Sequence, residues 1–343
     1  MSESATESGP VLLTEREAAK LLPLSDAIEV LREVYGATHA CNINMPRAHA
    51  RHGDRILHAV GGILPDRGIA GTKTWLYTPA GAQPLLILFS PDDGRVAAVI
   101  EAFGLGQRRT AATSGLGTAL LARADADVLA LLGTGKQALA QAQAVAAVRQ
   151  LRRVQVFGRD PNHREQLCAR LDLDLGVEAE GFGDVGAAIE GAQIVTAITR
   201  AADPIVFPEM LTAGMHINAV GAIVPARSEL DARVIGRCDV IVADSCDQAR
   251  EDSQELQSAV GAGLLRFEDV VDLAELVADP ERGRTTDDQI TLFKALGVGL
   301  SDVALGAEIL TRAIRAGAGT PLHPRGEGNQ TNFRTEPGRN THV

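Results

Sequence analysis

A strand-turn-helix-strand unit near the middle of the chain constrains the fold more than any other feature. The apolar run VLALL at 128–132 ends in a glycine-rich turn, an alanine-rich helical stretch follows, and a second apolar run begins at Val154. One helix between two apolar runs closes most naturally as parallel strands with a right-handed crossover. Further strand-like runs at 192–199, 214–222 and 238–245, with helical stretches between them, predict a doubly wound α/β domain.

The glycine-rich turn has the residue types that a dinucleotide site requires. Gly133 permits a tight turn, Gly135 removes the side chain where a pyrophosphate approaches the backbone, and Ala138 lets the helix lie close to the sheet. The helix amino terminus offers unpaired N–H groups and the positive end of its dipole to the phosphates. A turn without a ligand is the alternative interpretation, but the order strand, turn, helix favours a Rossmann-type domain. The turn follows GxGxxA and consists of Gly133, Thr134, Gly135, Lys136, Gln137 and Ala138.

The end of the second strand indicates which nicotinamide cofactor the domain prefers. An acidic residue there favours the ribose hydroxyls of NAD, whereas an arginine meets the extra phosphate of NADP. Gly158 stands where the acid is expected, and Arg159 follows it, with Arg164 close by. NADP(H) is therefore favoured, with NAD(H) possible because Asp160 is near enough to turn toward a ribose. A solvated surface role is the alternative for Arg159.

Composition excludes several classes of partner. A length of 343 residues predicts two domains, and a net charge of −11 with 3% aromatic residues argues against nucleic acid. The sequence has neither an apolar run of about 20 residues nor a basic and apolar leader, which predicts a cytoplasmic protein without a membrane partner. The four cysteines form no CxxC pair, so we expect neither a metal site nor disulfides.

The segment before the nucleotide domain has a different pattern. Thr14 with Glu17, then Ser25 with Asp26, are start signals for two short helices. Apolar runs broken by glycine and proline follow between residues 47 and 98, with the turn DDG at 92–94 as a hairpin connection, so an α+β unit on a largely antiparallel sheet is predicted.

These patterns predict the domain organisation. The substrate-binding and dimerisation domain covers residues 11–113 and is completed by a helix at about 302–317, and the Rossmann domain covers 114–301. Residues 1–10 and 318–343, which are polar and rich in Gly and Pro, are expected to be flexible tails.

Three basic residues precede the nucleotide domain, each in what the pattern indicates is a strand or turn. They are Arg47 in NMPRAHA, Lys73 in AGTKTWLY and Arg109 in GQRRTAATS. An arginine binds a carboxylate through two parallel hydrogen bonds, and a lysine adds a compact charge that also donates a proton. Each one taken alone is more often a solvated surface charge.

Six motifs in order, MPR, GTK, RTAATS, GTGKQA, INAVGA with SEL after it, and FKALGVGLSDVA, resemble the ornithine cyclodeaminase and mu-crystallin family over about residues 12–315. The resemblance implies a homodimer whose first domain supplies the substrate pocket and the subunit contact. It implies that Arg47, Lys73 and Arg109 hold the substrate carboxylate, with Lys73 and both arginines as the catalytic set. The remaining implied contacts are Lys136, Gln137, Val220, Gly221 and Ala222 to the dinucleotide, and Ala295 and Leu296 near the nicotinamide and substrate.

One departure from the family pattern bears on the reaction. Cyclodeaminases in this family have an aspartate after the VGA turn, whereas this chain has Ile223, which neither accepts a proton nor pairs with an ammonium. We therefore expect an NAD(P)H-dependent imine reductase or amino acid dehydrogenase, which transfers hydride between the nicotinamide and the α-carbon of a small imino or amino acid. Ketimine or pyrroline-2-carboxylate reduction is favoured, with alanine or iminosuccinate chemistry also possible.

Two alternatives stay open at this stage. The first is an ornithine or lysine cyclodeaminase that releases ammonia, in which Glu229 or Asp302 replaces the missing aspartate. The second is a crystallin-like protein that binds NADPH without turnover. Arg108, Arg200 and Arg227 are candidates for a second carboxylate, and His58 is a candidate for a polar substrate contact, although surface or core roles are more common for all four.

Overall fold

The computed structural model of the protein describes residues 9–37 and 42–322. Its strands in this part of the chain, β1 to β15, are Val11–Leu13, Ile43–His52, Arg55–Leu64, Ile69–Tyr77, Leu85–Phe89, Val96–Glu101, Val128–Leu132, Arg153–Phe157, Glu178–Phe182, Ile194–Ala197, His216–Ala219, Val240–Ala243, Val271–Asp272, Thr291–Lys294 and Thr320–Pro321. Its α-helices, α1 to α11, are Glu15–Leu21, Leu24–Ala37, Phe103–Leu121, Ala138–Ala146, Pro161–Leu175, Val185–Ile189, Ala232–Ile235, Cys246–Asp252, Gln254–Gly261, Leu273–Ala278 and Gly299–Ala316.

The first sheet has the strand order β15-β1-β6-β5-β4-β3-β2, and all its pairs except β1 with β6 are antiparallel. The prediction of a largely antiparallel sheet is confirmed, as is the DDG hairpin connection, which lies between β5 and β6. Alternate residues of β3, β4 and β5 pack on α11, because side chains in a strand point to opposite faces in turn. The other face of β2, β3 and β4 carries exposed apolar side chains.

The amino-terminal helices are close to those predicted. Thr14 caps α1 and Glu17 completes the capping box, as its spacing indicates. The second start signal is displaced, because α2 begins at Leu24 and Ser25 therefore lies in its first turn. The prediction of a flexible segment from residue 318 is wrong for its beginning, since β15 pairs with β1 through Val11 and Pro321. Residues 1–8 and 323–343 lie outside the described part.

The second sheet is parallel, with the strand order β13-β12-β14-β11-β10-β7-β8-β9. β7 lies inside this sheet, with β8 and β9 on one side and five strands on the other, and the chain leaves β7 toward β8 and later returns to β10. The doubly wound Rossmann architecture predicted from the sequence is confirmed. The patterns had not predicted β9 or β13, because Glu178–Phe182 carries two glutamates and a glycine and Val271–Asp272 is only two residues long.

The last helix packs on the first sheet, as expected for the predicted helix at about 302–317 that completes the first domain. Gly299 at the start of α11 comes so close to β3 that a Cβ atom there would lie 2.3 Å from the Gly61 nitrogen. This backbone contact places the first turn of α11 directly over β3 and β4. The predicted division into two domains stays a prediction, and its boundary at 113/114 falls within α3, which packs against α2, α4 and β14. No helix in the described part is long and apolar enough to cross a bilayer.

Candidate active site

The glycine-rich turn lies at the carboxyl end of β7, beside the point where the strand order reverses between β7 and β10. Gly133 has φ +126°, and its N–H donates to the Phe157 carbonyl at 2.9 Å. A Cβ atom at Gly133 would lie 2.9 Å from the Ile198 carbonyl oxygen. Only glycine fits there without strain, because an L side chain disfavours this φ and the neighbouring backbone leaves no room.

The two later positions of the motif have the space that a dinucleotide requires. A Cβ atom at Gly135 would meet no atom within 4 Å, so the backbone there is open to a ligand. Ala138 is fully buried where α4 begins, and Gln137 at the cap position makes no side-chain cap hydrogen bond. The Ala138 N–H donates to the Gly135 carbonyl at 3.0 Å, but no side-chain cap occupies the N–H groups that follow it in α4, which are open to phosphate oxygens. The turn fits a dinucleotide pyrophosphate.

The side chains of Lys136, Gln137 and Thr134 in the turn have different neighbours. The Lys136 ammonium lies 5.3 Å from the centre of the Phe103 ring, at the start of α3. The Gln137 side-chain oxygen Oε1 is buried without a hydrogen-bond partner among the described residues. Thr134 packs on Gly158, where a Cβ atom would approach Thr134 Cγ2 to 2.6 Å. This packing explains why glycine, and not an acid, follows β8.

The residues after β8 bear on cofactor choice. Asp160 caps α5 and accepts hydrogen bonds from the backbone N–H groups of Asn162 and His163, at 2.8 and 3.1 Å. Arg164 donates to the Gly158 carbonyl at 2.5 Å. Arg159 is exposed between them. Asp160, the one carboxylate in residues 158–160, is thus occupied by hydrogen bonds to the N–H groups at the start of α5. The exposed guanidinium of Arg159 is the charged group next to the end of β8.

Glu229 organises the turn that follows β11. Its carboxylate accepts from the Thr199 N–H and hydroxyl at 2.5 and 2.7 Å, and from the Gly221 and Ala222 N–H groups at 2.7 and 3.1 Å. It is fully buried, and burial raises its pKa. Glu229 therefore ties together the loops after β10 and β11. The predicted cofactor residues Val220, Gly221 and Ala222 lie in this braced turn.

A second buried carboxylate joins two of the predicted substrate residues. Asp302 Oδ1, in the first turn of α11, accepts from the Lys73 ammonium at 2.6 Å and from Arg109 Nε at 3.3 Å. Asp302 is fully buried and Lys73 is 5% exposed. The other oxygen, Oδ2, has no partner among the described residues. Lys73 comes from β4, but Arg109 lies in α3 and not in a strand or turn as predicted, because the helix begins at Phe103.

Arg47 connects the same cluster to the second sheet. It lies at an irregularity in β2 between Met45 and Ala48, and its Nη2 donates to the Leu296 carbonyl at 2.9 Å. The Arg109 guanidinium packs on Gly297, where a Cβ atom would lie 2.8 Å from Nη1. The structure thus brings Arg47, Lys73 and Arg109 together at the segment after β14, beside the predicted residues Ala295 and Leu296.

Asp244 holds that segment in place. It follows β12, is buried, and accepts from the Leu296 N–H at 2.9 and 3.0 Å and from the Gly297 N–H at 2.7 Å. The motifs did not single out Asp244, although its position directly after an apolar strand is a usable signal, because carboxyl ends of parallel strands form the ligand edge of such a sheet. The cation cluster and the glycine-rich turn lie at this same edge.

The surroundings of Lys73 lower the pKa of its ammonium group. Burial, together with Arg109 and Arg47, lowers the Lys73 pKa to about 8, although Asp302 opposes this shift. Burial also lowers the Arg47 pKa. A lysine that titrates near neutral pH is a suitable proton donor, because a group transfers a proton most effectively when its pKa is near the working pH.

His216 and Arg108 have structural roles, whereas Ile223 is accessible to solvent. His216 is fully buried between Thr291 and Asn218 in the second sheet, which is a core role. Arg108 donates to the Ala19 carbonyl at 2.9 Å and joins α3 to α1. Ile223, which stands where cyclodeaminases have their aspartate, is 38% exposed.

Known proteins share this architecture and sequence. Residues 69–316 match the sequence profile of the ornithine cyclodeaminase/mu-crystallin family.

The chain belongs to the ornithine cyclodeaminase/mu-crystallin family. The Δ1-pyrroline-2-carboxylate reductase of Bacillus cereus is 31% identical over 258 residues, which cover 75% of this chain and 77% of the relative. The iminosuccinate reductase of Paracoccus denitrificans, solved with NAD⁺, superposes with a TM-score of 0.86 at 28% identity and covers 92% and 100% of the two chains. An archaeal alanine dehydrogenase dimer with bound NAD superposes with a TM-score of 0.85 at 26% identity, covering 92% and 99%. The resemblance found in the motifs is confirmed.

Proposed function

We propose that this protein is an NAD(P)H-dependent imine reductase, or in the reverse direction an amino acid dehydrogenase, acting on a small 2-imino or 2-amino acid. The convergence of Arg47, Lys73 and Arg109 beside Leu296 carries this proposal. The three cations come from different elements, yet they meet at the carboxyl edge of the second sheet, where the glycine-rich turn also lies. The B. cereus and P. denitrificans relatives are reductases of pyrroline-2-carboxylate and iminosuccinate, which supports the same class of reaction.

Different residues bind the substrate, donate the proton and position the other side chains. Arg47 and Arg109 bind the substrate's α-carboxylate, since each keeps N–H donors beyond the bond described above. Lys73 assists that contact and donates its proton to the imine nitrogen. Asp302 holds Lys73 and Arg109 in position, and the segment 295–297 closes the site on the side of the second sheet.

The glycine-rich turn, with Lys136 and Gln137, holds the cofactor, and the turn braced by Glu229 borders the nicotinamide. When bound, the reduced nicotinamide supplies the hydride. NADP(H) is the preferred form in this proposal, because Asp160 is committed to a helix cap and Arg159 is exposed at the end of β8. The two solved relatives hold NAD⁺ or NAD, so the proposed preference for NADP(H) rests on Asp160 and Arg159 of this chain and not on the relatives.

Oxidation of NADPH and NADH in the presence of imines tests the proposal. Pyruvate with ammonia, oxaloacetate with ammonia, and Δ1-pyrroline-2-carboxylate each provide a 2-imino acid. We expect cofactor oxidation with at least one of them, and its loss in Arg109→Leu with cofactor binding retained. Tight NADPH binding without oxidation by any imine would instead favour a binding protein.

Cyclodeaminase activity is less compatible with the geometry. Both oxygens of Glu229 are occupied by four donors, and Asp302 Oδ1 is shared by two cations. Neither carboxylate is placed as a free base for a substrate amine. Release of ammonia from ornithine or lysine in the presence of NAD would overturn this conclusion.

A homodimer formed through the first sheet is the assembly that we propose. On the face opposite Lys73, Leu57 pairs with Leu76 and Ile43 pairs with Ile63, and all four side chains are between 39% and 58% exposed. A patch of this kind is usually an interface, and the archaeal alanine dehydrogenase is a dimer. Leu57→Glu should yield monomers in light scattering, whereas Leu173→Glu, on the exposed side of α5, should not. A cytoplasmic location stays a prediction.

A further inference from the structure

A row of rings continues outward from Lys73 on one face of the first sheet. In the strand register His49 lies opposite His58, and His58 lies opposite Trp75. The His58 and Trp75 rings are stacked with centroids 4.7 Å apart and an interplanar angle of 18°, and the His49 and His58 centroids are 6.3 Å apart. The Lys73 ammonium is 5.5 Å from the Trp75 ring centre. The row therefore begins at the cation cluster.

This face of the sheet is basic. Beyond Lys73 the side chains that share it, up to the hairpin turn at 53–54, include no carboxylate; they are His49, Arg51, Ile56, His58, Trp75 and Tyr77. Burial and, after it, Arg47, His49 and Arg51 lower the pKa of His58. Neighbouring cations that disfavour a proton on His58 create a positive potential, which attracts an anion.

Two polar atoms beside the row have no hydrogen-bond partner within residues 9–37 and 42–322. His58 Nδ1 and Arg47 Nε are both buried and unpaired among the described residues. Buried polar atoms are usually satisfied, and an unsatisfied one costs free energy unless a ligand or water completes it. Arg47 belongs to the cation cluster and His58 to the row of rings, so the two unpaired atoms lie where the cluster and the row meet.

We propose that His58, with His49 and Arg51, forms a second anion-binding subsite, and that the substrate carries an acidic group on its side chain. This inference rests on the proposed imine reduction. The cation cluster binds the α-carboxylate, the Trp75 ring lies along the carbon chain, and the histidine row binds the distal acid. The substrate class is then a short 2-imino dicarboxylic acid, with the corresponding amino dicarboxylic acid as product.

The specificity of the full-length enzyme tests this subsite. We would compare kcat/KM for the imine of oxaloacetate with that for the imine of pyruvate, which differ in the distal carboxylate. His58→Phe preserves a ring against Trp75 but removes the nitrogen atoms. His52→Phe is the matched control, because His52 lies on the same hairpin with its side chain on the opposite face. Arg51→Met and Arg55→Met form a second matched pair.

We expect the wild type to prefer the dicarboxylic imine, and His58→Phe to reduce this preference by about tenfold, as loss of a charge-assisted hydrogen bond does. Arg51→Met should reduce it less, and the two control variants should leave the ratio unchanged. A wild-type preference for the monocarboxylic imine, or equal losses for both imines in His58→Phe, would overturn the subsite and leave imine reduction standing. Absence of cofactor oxidation with every imine would instead remove the proposed function itself.

Discussion

The glycine-rich turn takes all its residues from positions 133–138, whereas the cation cluster joins Arg47, Lys73, Arg109 and Asp302 from β2, β4, α3 and α11. The turn acts mainly through its backbone, with an open position at Gly135 and N–H groups after Ala138 that no side chain caps. The cluster acts through side chains that are largely buried and balanced against one another.

This difference has consequences for mutation. A site made of backbone is sensitive to added atoms, because any side chain occupies the ligand's space. A site made of paired charges is sensitive to removed atoms, because each charge is compensated by its neighbours and a missing one leaves a buried charge alone. Substitutions in the two regions should therefore affect activity, cofactor binding and stability differently, and four predictions test that contrast.

The largest effect is expected in the cluster, from Lys73→Met. This change removes the proton donor and a carboxylate contact, so kcat/KM should fall at least about 10³-fold while cofactor affinity, measured by fluorescence titration, is retained. Lys20→Met, at an exposed position of α1, is the control. The change also leaves Asp302 with Arg109 alone, so a lower melting temperature should accompany it. Activity within tenfold of wild type would contradict the assignment of Lys73.

The turn should separate cofactor binding from fold stability at its two glycines, Gly133 and Gly135. Gly135→Val should raise the cofactor Kd about 100-fold with little change in melting temperature, because its side chain enters empty space that the pyrophosphate occupies. Gly133→Ala should instead destabilise the fold by about 1–3 kcal/mol, since φ is +126° and the Ile198 carbonyl is 2.9 Å from the new Cβ. Equal melting temperatures for the two variants would remove the distinction.

The pH dependence should reveal the coupling inside the cluster. Imine reduction needs protonated Lys73, so kcat/KM should fall as the pH rises through about 8. Asp302 favours the charged lysine, so Asp302→Asn should move this fall in kcat/KM to lower pH. At a pH above the fall, kcat/KM should be about tenfold lower for each unit by which the pKa decreases. Asp288→Asn, at an exposed loop position, is the control. A fall that stays at the same pH would show that Lys73 is not the group that titrates.

The smallest effect is expected at Arg159, which follows β8. Arg159→Ala should weaken NADPH binding about fivefold while NADH binding changes little, because an exposed ionic contact contributes about 1 kcal/mol. Isothermal titration with both cofactors measures this, with Arg16→Ala as control. Equal weakening of both cofactors would indicate that Arg159 does not distinguish the ribose phosphate.

The sequence predicted the nucleotide domain well because its signals are local. The run VLALL, the turn GTGKQA and the helix after it are contiguous, and each residue type has a stereochemical reason at its own position. The strands missed there are those with weak local signals: β9 carries two glutamates and a glycine, and β13 has two residues. The start of α2 and the pairing of β15 were also misplaced, because both depend on packing with neighbouring segments.

Asp302 and Glu229 show where sequence patterns were insufficient. Both were considered only as replacements for the missing cyclodeaminase aspartate. The structure instead places Asp302 between Lys73 and Arg109, and gives Glu229 four backbone and hydroxyl donors. The roles of these carboxylates depend on partners that are distant in the chain, and no spacing rule connects Lys73 to a residue 229 positions later.

The residue order by itself determined that the chain contains a parallel nucleotide-binding sheet and which turn of it is shaped for a dinucleotide, because glycine conformation, strand pattern and helix start are properties of neighbouring residues. Only the tertiary structure decided how the basic residues combine. Arg47, Lys73 and Arg109 become one cluster when α11 crosses back over the first sheet and brings Asp302 against them. Electrostatic coupling acts through space over a few ångströms, and the folded chain sets those distances.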